Sequence, residues 1–388
     1  MGEWKEYKLG QLVEVKGGKR LPKGDLLVDY DTGHPYIRVT DLGRKWLKKD
    51  GLQFVPTEIQ KNISRYTVNS GDVILSIVGS IGFTGRIAEE LDGANLTENC
   101  VKFIPITKTI DNDYLYYFLS SKRGQDEIDK RIVGSTQPKL SLYNIKDIQV
   151  NLPPLPEQKS IASVLSSLDD KIDLLHRQNK TLEALAETLF RQWFVEEAEE
   201  GWEMGTIENE FDFTMGQSPS GSSFNEEGKG MVFFQGRTDF GFRFPDPRVY
   251  TDEPNRLARK FDTLVSVRAP VGDMNMAVEE CCLGRGVAAF RYKDNSSYHT
   301  YTYYKLRSLM AQIKQFEDSG TVFGSIGKDD FNKLKNILPS SKLVEKFQAQ
   351  AAPLDEKIYK NTLQIKTLTR LRDTLLPKLM SGEVRVVF

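Results

Sequence analysis

One stretch limits what this chain can become. Residues 152–194, LPPLPEQKSIASVLSSLDDKIDLLHRQNKTLEALAETLFRQWF, carry apolar side chains at alternating spacings of four and three: Ile161, Leu165, Leu168, Ile172, Leu175, Leu182, Ala186, Leu189 and Trp193. A period near 3.5 predicts a long helix with an a/d seam, and Asn179 is the polar residue on that seam. Pro153, Pro154 and Pro156 suit the lead-in, because proline is tolerated only outside a helix or in its first turn. A helix from Glu157 to near Glu197 would reach roughly 60 Å at 1.5 Å per residue. The stretch recurs. A shift of 186 positions puts Leu152-Pro153 on Leu338-Pro339, Leu168-Asp169-Asp170-Lys171-Ile172 on Leu354-Asp355-Glu356-Lys357-Ile358, and Leu189 on Leu375. The second seam runs Phe347, Ala351, Leu354, Ile358, Asn361, Ile365, Leu368, Arg372, Leu375 and Leu379. Two such seams in one chain can cover each other, and the alternative is that each helix packs on its own domain. Asn179 and Asn361 either fix the register of the pairing from inside or sit solvated at its edge.

The duplication extends beyond the helices. RVTDLG (38–43) parallels GRTDFG (236–241), GDVILSIVGSIG (71–82) parallels FDTLVSVRAPVG (261–272), and GSTQPKLSLYNIKDIQVNLP (134–153) parallels GTVFGSIGKDDFNKLKNILP (320–339). The offset falls along the chain, so the halves differ by loop insertions and deletions. Short β-branched runs, Val73–Ile77 and Val101–Ile104 with Leu264–Val267 and Val287–Phe290, read as strands. An amphipathic helix capped by Asp113 is expected through Tyr114, Tyr117, Phe118 and Ile128, with a counterpart over Tyr301–Phe316. Strands without regular βαβ alternation predict an α+β class: two tandem modules of mixed sheet and helices, each followed by one long helix. The expected boundaries are 1–153, 154–199, 200–339 and 340–388.

Catalytic signatures are missing from the sequence. His34, His176 and His299 are scattered, no GxSxG elbow occurs, and Gly230 stands where a phosphate-binding loop needs Ser or Thr. Cys100, Cys281 and Cys282 form no CxxC pair or disulfide framework, which makes a reducing cytoplasm the expected compartment. No apolar run is long enough to span a bilayer. What remains is binding chemistry. With a net charge of −1, a nucleic-acid partner requires the cations to gather locally. The segment 16–49 holds Lys16, Lys19, Arg20, Lys23, Arg38, Arg44, Lys45, Lys48 and Lys49. The glycine-started loop GSTQPKLS offers Ser135, Thr136, Gln137 and Lys139, and the 79–85 loop offers Ser80. In the second half Gln217, Gln235, Arg237, Arg268, Arg285, Thr321 and Lys328 occupy comparable places. Such side chains position a protein on phosphates or meet base edges in the major groove.

At these residues the chain resembles the specificity subunit of type I restriction–modification systems. The likeness rests on LPPLPEQKSIASVLSSLDDKIDLL (152–175), LFRQWF (189–194), the weaker copy ending LLPKLMSGEV (375–384), and the GSTQPKLS loop. The second copy departs, with Leu343-Val344 for Glu157-Gln158 and Gly324 for Pro138. The resemblance implies two target recognition domains separated by two long antiparallel coiled-coil helices in a pseudo-twofold repeat. The spacer seam would be Leu165, Leu168, Ile172, Leu175, Leu182, Leu189, Leu354, Ile358, Ile365, Leu368 and Leu375. Each domain would read one half of a bipartite, asymmetric double-stranded DNA target. Two modification (methyltransferase) subunits would bring S-adenosylmethionine for adenine methylation, and restriction/translocase subunits would bring ATP and Mg. The chain itself would hold no cofactor, metal or catalytic residue and would meet no membrane. The competing expectation is a coiled-coil scaffold without DNA specificity.

Overall fold

The computed structural model describes residues 3–134, 136–198, 201–318 and 324–386. The chain divides into two units, one built from residues up to 175 with those from 363 onward, the other from 176–362.

In the first unit the strand order is Val13–Gly17, Cys100–Pro105, Val73–Ser76, Thr84–Ile87 and Trp46–Leu47. The first four pair antiparallel, and the last joins in parallel. The second unit repeats this with Phe211–Met215, Val287–Tyr292, Thr263–Ser266 and Met274–Met276. The register repeats too. Val73 faces Phe103 and Leu75 faces Val101; Thr263 faces Phe290 and Val265 faces Ala288. A smaller sheet in each unit contains one parallel pair, Pro35–Ile37 with Asn95–Leu96 and Met231–Phe234 with Cys281–Leu283. The internal repeat is therefore structural, and Val73–Ser76 and Thr263–Ser266 are buried along their whole length because both faces of the sheet are covered there.

The expected single helix after residue 111 is two. Asn112–Ser120 is capped by Asp111, whose Oδ1 accepts from the Tyr114 N–H at 3.0 Å, so Asp111 takes the role expected of Asp113. Ser121 then turns extended and caps Lys122–Asp129 by accepting from the Gly124 N–H. Gly124 packs against the backbone of Phe118 so closely that a Cβ would lie 2.0 Å from its carbonyl oxygen. The counterpart is likewise split, into His299–Ser308 and Met310–Asp318.

The first long helix runs Leu155–Arg191, taking Pro156 into its first turn, and ends in a π-turn over Gln192–Glu196. The second runs Ser341–Ser381. Within each unit they lie antiparallel. In the first, Arg372 Nη1 donates to Asp169 Oδ1 at 2.9 Å. In the second, Asn361 Nδ2 donates to Asn179 Oδ1 at 2.9 Å, and Phe190 and Phe194 both make T-shaped contacts with Phe347. Both asparagines are buried, which favours the register-fixing role over the solvated one. The helices also belong to the globular cores. Ile161, Ala162, Leu165, Leu379 and Met380 join the cluster around Tyr114–Leu119; Ala186, Phe190, Val344, Phe347 and Ile358 join the one around Phe290 and Tyr301. Of the expected seam, Leu165, Leu175 and Ile358 are buried, while Leu168, Ile172, Leu182, Leu189, Leu354, Ile365, Leu368 and Leu375 are half-buried, as a two-stranded seam leaves them. Mutual pairing and packing on the sheets are thus both present.

Glu157 closes the first unit. Its buried carboxylate accepts from Arg385 Nε and Nη2 at 2.7 and 2.5 Å and from the Trp4 indole at 3.4 Å. The Arg385 hydrogen bonds hold it below its ordinary pKa despite its burial. A depressed carboxylate stabilises the fold above its unfolded value of about 4.3, and that contribution is lost as pH falls through the lower folded value. Glu157→Gln should lower the neutral-pH melting temperature by about 2–4 °C and shrink the difference from wild type in the acid range. Thermal melts of the full chain across pH 2–7 check this; a gap that stays constant down to pH 2 would refute it.

Candidate nucleic-acid interface

The candidate side chains must be placed by the turns that hold them, and those turns are built alike in the two units. In the first, the Gly18 N–H donates to Cys100 O, Lys19 to Leu96 O, Ile77 to Asn99 O, Leu140 to Ile77 O and Thr97 to Ile37 O, at 2.8–3.1 Å. In the second, Gly216 donates to Val287 O, Gln217 to Leu283 O, Val267 to Gly286 O, Ile326 to Val267 O and Gly284 to Phe234 O, again at 2.8–3.1 Å. Five equivalent bonds bring the same turns to one end of each main sheet. They are the exit of the first strand, the turn before the long central strand, the turn after the next strand, and the loop ahead of the short helix. The parallel strand of the smaller sheet ends beside them.

The backbone is common but the side chains differ. Lys19 occupies the place of Gln217, Glu98 that of Arg285, Val78 that of Arg268 and Lys139 that of Ser325. In the first unit Lys19, Arg20, Ser80, Thr136, Gln137 and Lys139 are exposed. Arg20 Nε bonds Glu98 Oε1 at 2.6 Å. Burial alone would raise the Glu98 carboxyl, but Arg20 and Thr97 outweigh it and hold it below its usual range. An exposed pair of this kind is weak and readily exchanged. Thr136, Gln137 and Lys139 make no side-chain hydrogen bond among the described residues. In the second unit Gln217, Gln235, Arg237, Arg268 and Arg285 are exposed around the 284–287 turn. Arg237 pairs with Asp273 at 2.9 Å, and the Arg285 N–H donates to Ser218 Oγ.

Not every candidate joins these groups. Arg38 is half-buried and engaged, bonded to Asp41 and to Gln53 Oε1 at 2.6 Å. Lys23 is exposed on the long loop between the first strand and Pro35, and Lys328 is exposed at the first residue of the Lys328–Lys333 helix. Ser135 and Thr321 lie outside the described residues. Lys45, Lys48 and Lys49 of the basic run have internal work. Lys45 Nζ donates to Ser166 Oγ at 2.6 Å, the Trp46 indole to Asp170 at 3.2 Å and Lys48 Nζ to Asp173 at 2.6 Å. These three acceptors recur every three or four residues along one face of the first long helix. Lys49 pairs with Asp31.

Sequence reasoning missed Glu98, Asn99, Ser218 and Ser325. Aligning TENCV (97–101) with GRGVA (284–288) would have set Glu98 against Arg285, since both segments lead into the same central strand. Among the described residues no group of three His, Cys, Asp or Glu side chains could hold a metal ion, and no helix is long and apolar enough to cross a membrane.

Comparison with known proteins gives this geometry a context. The family model described as the type I restriction modification DNA specificity domain matches residues 1–184. A Methanocaldococcus jannaschii protein provisionally named as the type I restriction enzyme MjaX specificity subunit is 30% identical over 380 residues, covering 91% of this chain and 88% of the relative. The type I restriction enzyme MjaIX specificity subunit of the same organism is 24% identical, covering 99% of this chain and 94% of its own. Among solved structures, the S subunit of a type I restriction–modification system from M. genitalium matches with a TM-score of 0.63 at 20% identity, over 97% of this chain and 96% of that one, and so shares the fold. This chain belongs to the family of type I restriction enzyme specificity subunits.

Proposed function

We propose that this chain is the DNA-recognition component of a type I restriction–modification complex, with one half of a split, asymmetric target read at the loop end of each unit. The observation that carries the reading is the set of five equivalent backbone bonds beneath unlike side chains. A conserved frame with exchanged polar groups is what two recognition sites for two different short sequences require. Lysines and arginines at the rim place the duplex through its phosphates, while Gln, Arg and Ser side chains meet donor and acceptor patterns in the major groove. Residues 1–153 and 200–339 act as the two recognition domains, with 154–199 and 340–388 as the helical spacer between half-sites. Two methyltransferase subunits supply S-adenosylmethionine and methylate adenine, and restriction/translocase subunits supply ATP- and Mg-dependent cleavage. The chain directs these activities in the cytoplasm without contributing a catalytic group.

Arg285→Ala and Gln137→Ala test the division of labour. Each should relax base preference in one half-site only, by about 1–3 kcal/mol or roughly 5- to 150-fold in discrimination. Genome-wide mapping of modified adenines in cells expressing each variant with its partners reads the result. Replacing residues 1–153 by the same segment of another family member should change that half alone. Relaxation of both halves by either single substitution would refute the assignment.

A further inference from the structure

The first unit carries a second basic surface beside its loop end. Lys16 and Lys102 stand directly opposite each other in the pairing of Val13–Gly17 with Cys100–Pro105. With Arg65, Tyr66, Leu96 and Leu142 they line a cleft of about 270 Å³. Like charges opposite one another on a sheet repel, so this pair of lysines stands only with an acid beside each. Each ammonium leans on an acid outside the cleft lining, Lys16 on Glu14 at 3.1 Å and Lys102 on Asp72 at 3.4 Å. Arg65 is exposed and has no ion pair among the described residues. The cleft is continuous with the loop end through Lys19, whose backbone bonds Leu96 and whose ammonium lies 5.9 Å above the Tyr66 ring.

The second unit has the frame with fewer of the charges. Thr214 faces Ala289 where Lys16 faces Lys102. The Leu283 N–H bonds Arg256 O as the Leu96 N–H bonds Tyr66 O, which sets Asn255 and Arg256 in the places of Arg65 and Tyr66. Because the strands repeat while the facing lysines do not, and Arg256 stands without them at the place of Tyr66, the three-cation cleft belongs to the first unit.

We infer that this cleft seats a phosphodiester of the bound duplex just outside the half-site read by the first unit, with the Tyr66 ring and Leu142 against the adjoining deoxyribose. Three cations around a cleft of about 270 Å³, with an apolar wall beside them, match the chemistry of a sugar–phosphate unit and not that of a base edge. The inference rests on the recognition reading above. It gives the first unit a sequence-independent anchor that the second lacks.

Lys16→Gln and Arg65→Gln are suitable probes, since both side chains are exposed. Lys102 is not, because its loss would strand Asp72, which is buried. In the full chain assembled with its methyltransferase subunits, the double variant should bind its mapped target and an unrelated duplex more weakly by a similar factor, on the order of tenfold. The slope of log K against log salt should flatten by about one, and the methylated sequence should not change. An unaltered slope and affinity, in a preparation where Arg285→Ala still relaxes one half-site, would overturn the cleft assignment and leave the recognition reading standing. Failure of the wild-type complex to prefer its target would remove both. Titration of inorganic phosphate onto the full chain separates the other source of the same chemistry. Micromolar binding abolished by Arg65→Gln would assign the cleft to a free anion and overturn the inference.

Discussion

Arg243→Met is expected to destabilise the second unit by about 3–5 kcal/mol, or roughly 6–20 °C in melting temperature. Arg243 is 1% exposed. Its guanidinium lies 3.6 Å above the Tyr303 ring and donates to the Tyr304 hydroxyl at 2.6 Å. It stands 3.2 Å from Asp355 on the second long helix and 3.4 Å from Glu183 on the first. Burial alone would lower its pKa, but the tyrosines and the two carboxylates more than reverse this, so it stays charged. Glu183 would keep Arg307 at 2.9 Å. Asp355 has no comparable second ion pair, and its oxygens make no hydrogen bond among the described residues. Removing the cation therefore leaves a buried, uncompensated carboxylate, and that penalty far exceeds the net worth of the ion pair. The double variant Arg243→Met/Asp355→Asn should recover most of the loss, because no unpaired charge then remains inside. Calorimetry of the full chain decides it: a single variant within about 1 kcal/mol of wild type, or no recovery in the double, would contradict the account.

Gly18→Val and Gly216→Val are expected to disable the two recognition ends separately. A Cβ on Gly18 would lie 2.1 Å from Thr97 O and 2.2 Å from Leu96 O; one on Gly216 would lie 2.2 Å from Gly284 O. All three are backbone atoms and cannot swing aside. The strand exit must move off the neighbouring turn, breaking the Lys19–Leu96 or Gln217–Leu283 bond. Overpacking of this kind costs about 1–3 kcal/mol, which a domain of this size can survive. The larger effect falls on DNA. On the recognition reading proposed above, side chains set on a turn displaced by an ångström would no longer meet base edges, and loss of one bidentate contact alone costs about 1–3 kcal/mol of discrimination. Gly18→Val should erase preference in one half-site and Gly216→Val in the other. Gly17→Ala is the control, since nothing lies within 4 Å of its added Cβ. Binding of the assembled complex to duplexes randomised in one half at a time reads all three, and a Gly18→Val variant with both preferences intact would disprove the shared-frame account.

The candidate interface was only partly legible beforehand. Turn residues such as Gln137, Lys139, Gln217 and Arg285 were identifiable because they sit at matched places in the repeat. The fate of the basic run was not. Lys19 and Arg20 stay at the surface, whereas Lys45 and Lys48 are taken up by Ser166 and Asp173 on the first long helix. A lysine in a run carries no mark of the partner it will meet more than a hundred residues later. The split of the helix at Ser121 was hidden for a related reason. Amphipathic spacing continues across the break, and the stop comes from the close approach of Gly124 to the Phe118 backbone.

The sequence by itself determined the duplication, the two long helices and their heptad seams, because periodicity is written in the order of side chains and needs no partner to be read. It also determined that the 71–82 and 134–153 turns have counterparts at 261–272 and 320–339. Tertiary structure alone decided that both helices enter the globular cores as well as pair with each other, that Asn179 meets Asn361, and that Arg243 is enclosed between two helical carboxylates. Those outcomes depend on which distant groups share a low-dielectric interior, where a charge or amide must find its complement, and that is a property of the packed chain.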